Sequence, residues 1–111
     1  MSIERRQFRR FTVSFDVTFE VGEVEYTGTV NDLSLGGCYI VSLAEAVLRS
    51  QIDVRIRLTT DRWLSLTGLV MHHYPNQGFG IRFEFASEAE EEIITRLVEH
   101  LTKSQESKNK D

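Results

Sequence analysis

Arginines and short polar residues occur in two segments that together have the chemistry of an anion-binding site. The first segment has four arginines within six residues: Arg5, Arg6, Arg9 and Arg10. Arginine carries a rigid fork of donors that matches phosphate oxygens two at a time, and its plane can pair with or stack on a base. The segment therefore suggests a site for a phosphate-bearing ligand. A solvated basic arm, or an arm that contacts RNA or an acidic membrane surface, has the same composition.

The second segment, residues 31–37, is a run of small polar side chains that ends in Gly36 and Gly37. Asp32 and Ser34 lie two residues apart, so in an extended stretch their side chains point the same way. A carboxylate accepts from the N–H groups on the Watson–Crick edge of guanine, and a hydroxyl donates or accepts. Glycines let the backbone approach a ligand closely. The same residue types are common in turns that bind nothing, so the segment by itself favours a structural turn.

The composition is that of one small globular domain. The chain has 111 residues and a formal net charge of −4, which argues against a general binder of DNA or RNA and makes a small anion the better fit to a local cationic segment. The single cysteine, Cys38, cannot form an internal disulfide and fits a reducing compartment. Because no apolar run is typical of a bilayer span or a signal peptide, we expect a cytoplasmic protein without membrane insertion.

Alternating apolar and polar residues predict a mainly β domain with one closing helix. Frequent turns separate six expected strands, at residues 12–20, 24–30, 38–41, 51–60, 63–71 and 79–85. Such a pattern is typical of a small antiparallel barrel or sandwich. Residues 43–49 are expected to make one or two helical turns. Ser87 and Glu90 have the spacing of a capping box, and the helix they begin has an apolar stripe composed of Ile93, Ile94, Leu97, Val98 and Leu101.

The two segments together resemble the PilZ family of cyclic di-GMP receptor domains. That family has an RxxxR motif before its first strand and a D/NxSxxG motif after its second. Arg6 and Arg10 match the first motif, Arg5 and Arg9 offer a second register, and residues 32–37 match the second motif. The late run at residues 78–83 and the C-terminal helix also suit the family, so the resemblance covers residues 3–101.

The resemblance implies a fold and a set of ligand residues. The fold is a six-stranded antiparallel β-barrel with a C-terminal α-helix. We expect a mobile arginine-rich arm at 1–11, the barrel at 12–86, the helix at 87–103 and a disordered tail at 104–111. The resemblance implies that the first motif binds phosphates and guanine faces, that the second reads a guanine edge, and that its glycines give room. The implied ligand residues are Arg6, Arg10, Asp32, Ser34, Gly36 and Gly37.

Three further residues are candidates for the same site. An arginine at the position of Arg5 tends, in this family, to accompany binding of an intercalated ligand dimer. Arg9 and Cys38 are additional candidates because they adjoin the two motifs. No metal site is expected at His72 and His73, since neighbours on a strand point to opposite faces.

We therefore predict a receptor for cyclic di-GMP whose arm folds over the barrel on binding. A domain this small is expected to signal through a partner protein, whose identity the sequence leaves open together with the oligomeric state. One alternative is an interaction module of the same fold that binds no nucleotide. Another is a small barrel that binds RNA or single strands, which would spread aromatic and basic residues along one sheet face. No catalytic constellation and no cofactor are expected.

Overall fold

The computed structural model describes residues 8–109, which form a closed six-stranded antiparallel barrel followed by one helix. The elements are β1 (Phe11–Val21), β2 (Val24–Leu33), β3 (Gly37–Val41), β4 (Gln51–Thr59), β5 (Arg62–Tyr74), β6 (Gly78–Phe83) and α1 (Glu88–Asn109). Around the barrel the strands follow the order β1-β2-β3-β6-β5-β4, and pairing of β1 with β4 closes it. The predicted fold class is confirmed.

The core forms because each strand alternates, so that one apolar face points into the barrel. Val17, Val30, Val54 and Phe79 are completely buried there. Helix α1 adds four residues of its predicted apolar stripe to the same core, with Ile94 and Val98 buried and Leu97 and Leu101 partly buried, whereas Ile93, expected in the stripe, is 42% exposed. Burial of this stripe is what holds the helix on the barrel.

The start of α1 has the predicted capping residues. The Ser87 hydroxyl accepts the backbone N–H of Glu90 at 3.3 Å. The Glu90 carboxylate accepts a hydrogen bond from the backbone N–H of Ala86 at 3.1 Å. In a standard capping box it would accept the N–H of Ser87 instead. Two backbone donors at the helix start are satisfied by this exchange. Over residues 8–109, no helix combines the length and the apolar composition needed to cross a membrane.

The predicted helical turns at residues 43–49 are wrong. The segment is irregular and ends in a turn at residues 48–49. Ala44 and Ala46 are buried while their neighbours are exposed, which is a period of two and not of 3.6. Backbone donors of the segment bond elsewhere, with the N–H of Ala44 donating to the Ser42 hydroxyl and that of Arg49 to the carbonyl of Val70. Pairing with the barrel replaces the helical ladder.

Each strand and the helix differ from the sequence prediction at one end or both, and β5, expected at residues 63–71, extends over Arg62–Tyr74. Strand β2 continues through Leu33, which confines the predicted turn at residues 31–37 to residues 34–36. Strand β1 begins at Phe11 instead of residue 12. The helix does not stop at 103 but continues to Asn109, because the residues after 103 are polar yet include no glycine or proline to break it. Residues 1–7 of the predicted arm and 110–111 of the predicted tail lie outside the described residues.

Candidate anion-binding site

An ion pair between Arg10 and Asp32 lies at the centre of the candidate site. The Arg10 Nε donates to both carboxylate oxygens of Asp32, each at 3.0 Å. The register of β1 and β2 accounts for the pair, since Thr12 is the partner of Asp32 and Arg10 lies two residues before it. Bulges in β1, after Thr12, and in β2, before Asp32, bend both strands at this place.

The ion pair leaves Arg10 able to bind an oxyanion. Its side chain is 59% exposed and that of Asp32 is 35% exposed. Within residues 8–109, the hydrogen bonds of Arg10 involve only Nε, so both terminal nitrogens have donors to offer. An exposed pair of this kind contributes little stability. Its consequence is orientation, because the carboxylate holds the fork of Arg10 in one direction.

Ser34 is placed differently from what the sequence predicted. It is buried, with 4% of its surface exposed. Its hydroxyl accepts the backbone N–H groups of Gly36, at 3.1 Å, and of Gly37, at 3.3 Å. The N–H of Ser34 donates to the carbonyl of Gly37 at 2.9 Å. Ser34 therefore shapes the turn between β2 and β3, and its contact with a ligand remains a prediction.

Gly36 in the turn and Gly37 at the start of β3 both have close neighbours, and at Gly37 the neighbour is backbone. A Cβ on Gly37 would lie 2.1 Å from the carbonyl oxygen of Ile81, so β3 can approach β6 only with glycine there. A Cβ on Gly36 would lie 2.9 Å from a ring carbon of Phe8. The Phe8 ring thus packs on the turn and anchors the chain just before Arg10.

Arg9 points away from Arg10 and contacts the helix. A terminal nitrogen of Arg9 donates to the Gln105 side-chain carbonyl at 2.9 Å, and its guanidinium carbon lies 4.9 Å from the centre of the Phe11 ring. The structure therefore brings Arg10 and Asp32 together but separates Arg9 from them. Arg5 and Arg6 lie outside the described residues, so their part in the site stays a prediction.

Cys38 lies in the core below the site and not on its surface. It is 2% exposed. Burial, and to a smaller extent the negative charge of Asp32, raise the pKa of its thiol to about 12, while the positive charge of Arg10 opposes the shift. The thiol is therefore protonated at neutral pH and inaccessible, which excludes Cys38 as a nucleophile.

Beside Asp32 the outer surface of the barrel has an aromatic cluster that the sequence analysis missed. The register places Asp32, Tyr39, Gly80 and His72 in one row across β2, β3, β6 and β5. The Tyr39 and Tyr74 rings lie 6.2 Å apart, and the imidazole of His72 is 6.4 Å from Tyr74. Gly80 puts no side chain between Tyr39 and His72, and a Cβ there would lie 3.6 Å from the His72 side chain and 3.8 Å from that of Tyr39. A planar group bound to Asp32 has aromatic neighbours on this side.

Tyr39 could have been found from the sequence by counting strand positions outward from the turn. Leu33 pairs with Cys38 next to the turn, so Asp32 and Tyr39 come opposite each other at the following position, before the bulge between Val30 and Asp32. Burial and the neighbouring Tyr74 raise the pKa of Tyr39, so its hydroxyl keeps its proton at neutral pH and can donate a hydrogen bond.

Solved structures similar to this chain are PilZ domains. The PilZ domain of YcgR from Escherichia coli, solved with c-di-GMP, matches with a TM-score of 0.77 at 15% identity, over 96% of this chain and 98% of that one. The MrkH–c-di-GMP complex of K. pneumonia matches with a TM-score of 0.76 at 16% identity, over 96% of this chain and 56% of that one.

The PilZ domain of CeSA from a cellulose-synthesizing bacterium matches with a TM-score of 0.65 at 25% identity, over 85% of this chain and 98% of that one. The chain spans about half of some longer relatives, including 50% of the YcgR chain in its complex with c-di-GMP. A search of curated protein sequences finds no match. The family model described as the PilZ domain matches residues 4–100, nearly the whole barrel and helix, and the chain therefore belongs to the PilZ domain family.

Proposed function

We propose that this chain is a receptor domain for cyclic di-GMP and not an enzyme. The observation that carries the proposal is the Arg10–Asp32 ion pair, exposed beside the Ser34 turn with both terminal nitrogens of Arg10 available. The ligand has two phosphates and two guanines, which match an arginine fork and a carboxylate. Similar structures of YcgR and MrkH that contain c-di-GMP support the same ligand.

Each residue of the site has a proposed part. Arg10 binds phosphate oxygens through its terminal nitrogens, and Asp32 accepts from the N–H groups of a guanine while it orients Arg10. Tyr39 lies next to Asp32 in the register and flanks the base. Arg5 and Arg6 close over the ligand from the arm, and the guanidinium of Arg5 favours a ligand that binds as an intercalated dimer.

Titration calorimetry of the full chain with cyclic di-GMP tests the proposal. We expect saturable binding with a micromolar Kd, which corresponds to a binding free energy of about −8 kcal/mol. Added salt should weaken binding because it screens the attraction between the arginines and the phosphates. Cyclic di-AMP is the matched control, since it has the same phosphates but lacks the N–H donors of guanine, and it should bind much more weakly. Two ligands per chain would support the intercalated dimer. Absence of heat up to about 100 µM cyclic di-GMP would contradict the receptor proposal.

We propose further that ligand binding is transmitted to α1 through Arg9, and from there to a partner protein. Arg9 bonds Gln105 on the helix, while the adjacent Arg10 bonds Asp32 in the ligand site. Because one peptide bond joins Arg9 to Arg10, a backbone shift that moves Arg10 towards a phosphate also moves Arg9 and strains its contact with Gln105. The exposed Arg9–Gln105 contact is weak enough to exchange on binding. The outcome is a change in the order of the last turns of the helix.

Hydrogen exchange across α1 tests this transmission. In the unmodified chain, cyclic di-GMP should change the exchange rates of amides near Gln105. In Gln105→Ala these amides should already exchange faster without ligand, with the ligand Kd changed by less than about twofold. Ser104→Ala, at the exposed neighbouring position, is the matched control and should behave like the unmodified chain. Identical exchange of the unmodified chain with and without bound ligand would contradict the proposal.

A further inference from the structure

Two arginines and the only tryptophan of the chain form an exposed cluster on the outer surface of β4 and β5. Arg57 is the direct cross-strand partner of Trp63, and Arg55 lies two residues before Arg57 on β4. The guanidinium carbons of Arg55 and Arg57 lie 5.2 and 5.6 Å from the centre of the Trp63 ring. Trp63 is nevertheless 43% exposed. We call Arg55, Arg57 and Trp63 the Arg–Trp patch.

Neither arginine of the Arg–Trp patch has a direct ion pair within the described part of the chain. Among residues 8–109, the ion pairs within 4.0 Å involve neither Arg55 nor Arg57. One terminal nitrogen of Arg57 donates to the carbonyl of Thr60 at 3.2 Å. Carboxylates flank the patch on the same outer face: Asp53, the next outward residue on β4, accepts a bond from Thr67 at 2.9 Å, and the register of β1 with β4 places Asp16 beside Arg57. The two guanidinium groups therefore have carboxylates nearby but keep hydrogen-bond donors for another partner.

The patch is separate from the candidate anion-binding site. Trp63 lies nine residues before His72 on β5, a distance of about 30 Å along an extended strand. The row from Asp32 to His72 follows β2, β3 and β6 to reach β5, whereas the patch lies on β4 and the first residues of β5. A ligand in the anion site therefore does not cover Trp63.

Stacking within the chain accounts for only part of this arrangement. A cross-strand pair of arginine and tryptophan stabilises a sheet modestly, by about 0.5–1 kcal/mol at an exposed site. One arginine is enough for that purpose, and the second adds like-charge repulsion on the same ring. Trp and Arg are the residue types most enriched where partner proteins gain binding energy. Two guanidinium groups without a direct ion pair, beside a half-exposed indole ring, fit a partner better than they fit solvent.

We propose that the Arg–Trp patch is the docking site for an acidic segment of a partner protein. Asp or Glu side chains of that segment bind the guanidinium groups of Arg55 and Arg57, each able to accept two hydrogen bonds. An apolar side chain of the segment covers the open part of Trp63. Because the barrel is closed and offers no edge strand, the partner binds through side chains on the sheet face and not by strand addition.

Trp63 itself reports occupancy, since it is the only tryptophan of the chain. The full chain is titrated with a synthetic peptide that has one phenylalanine flanked on each side by two glutamates, and tryptophan emission is recorded. We expect a saturable shift to shorter wavelength. A peptide with glutamines in place of the glutamates should bind at least about tenfold more weakly, because its charge is absent.

Charge reversal of the patch supplies the matched variants. Arg55→Glu combined with Arg57→Glu should weaken peptide binding at least about tenfold, while Arg49→Glu, at an exposed position on the segment before β4, should leave it unchanged. Circular dichroism and thermal unfolding check the fold of each variant. If the double reversal does not fold, Arg55→Gln combined with Arg57→Gln removes both charges without reversing them, and it is expected to weaken peptide binding in the same direction.

Four outcomes would overturn the proposal. Equal binding of the neutral peptide excludes charge recognition, and no saturable change up to about 1 mM peptide excludes docking. A shift that depends on protein concentration, with a dimer that the double reversal abolishes in sedimentation, assigns the patch to the acidic residues 88–92 of a second copy. A shift produced by a short single-stranded RNA, with a steep salt dependence, assigns the patch to nucleic acid.

Discussion

Arg10→Ala is expected to weaken binding of cyclic di-GMP by about 100-fold or more. Each charge-assisted hydrogen bond that Arg10 makes to a phosphate contributes about 1.5–3 kcal/mol, and a bidentate contact loses two of them. The substitution also removes the partner of the Asp32 carboxylate, at 3.0 Å in the ion pair, and leaves that charge facing an anionic ligand. Calorimetry of the variant against the unmodified chain measures the loss.

Arg10→Lys separates the charge of Arg10 from its geometry. Lysine keeps the positive charge but not the planar fork, so we expect a Kd between those of the unmodified chain and Arg10→Ala. Arg49→Ala is the matched control for loss of one exposed arginine away from the site, and its Kd should not change. Binding of cyclic di-GMP by Arg10→Ala within about threefold of the unmodified chain would show that the site is elsewhere.

Asp32 has two proposed roles that a double-mutant cycle separates. If the carboxylate acts only by orienting Arg10, Asp32→Ala costs nothing further once Arg10 has been replaced by alanine. If it accepts from guanine, the two losses add, and Asp32→Ala also reduces the preference for cyclic di-GMP over cyclic di-AMP. The single Nε–H of Arg10 is shared between both carboxylate oxygens, and this contact is the orienting interaction that the cycle measures.

The sequence predicted the fold well because the patterns that specify strands and helix starts extend over only a few neighbouring residues. Alternation in β1 and the capping residues at Ser87 each act within a few positions, and the structure confirms both. The helical prediction for residues 43–49 was wrong because Ala44 and Ala46 suit a helix as well as they suit buried positions two residues apart. Only contact with the barrel, through the bond from the N–H of Arg49 to Val70, decides between them.

The sequence predicted the charged residues of the candidate site, Arg10 and Asp32, but not the positions of Ser34 and Tyr39. Arg10 and Asp32 have side chains whose chemistry is evident from residue type, and the structure pairs them. The role of Ser34 depends on a turn three residues long, which turns its hydroxyl inward. Tyr39 becomes a neighbour of Asp32 through strand register, and counting from the turn finds it only once the end of β2 is known. The sequence placed that end at residue 30, whereas β2 continues to Leu33.

Gly37→Ala is expected to destabilise the barrel by about 3 kcal/mol, at the upper end of the cost of overpacking. The added Cβ would lie 2.1 Å from the carbonyl oxygen of Ile81. That atom belongs to the backbone of β6, which pairs with β3 along the length of both strands, so it cannot move aside as a flexible side chain would. For a domain of about 100 residues, this loss lowers the Tm by roughly 10–20 °C, which thermal unfolding by circular dichroism measures.

Gly80→Ala is the matched control for Gly37→Ala. Comparison of the two variants shows whether Gly37 serves strand packing or ligand binding. Gly80 lies on the paired strand β6, and a Cβ there would meet its nearest neighbours, the side chains of His72 and Tyr39, at 3.6 and 3.8 Å. Its stability should change by less than about 1 kcal/mol. The resemblance to the PilZ family implies that Gly37 leaves room for a ligand, whereas the contact with Ile81 indicates that it lets two strands meet. If Gly37→Ala keeps its Tm but no longer binds cyclic di-GMP, Gly37 leaves room for the ligand. If the Tm measured without ligand falls strongly, Gly37 lets β3 and β6 meet.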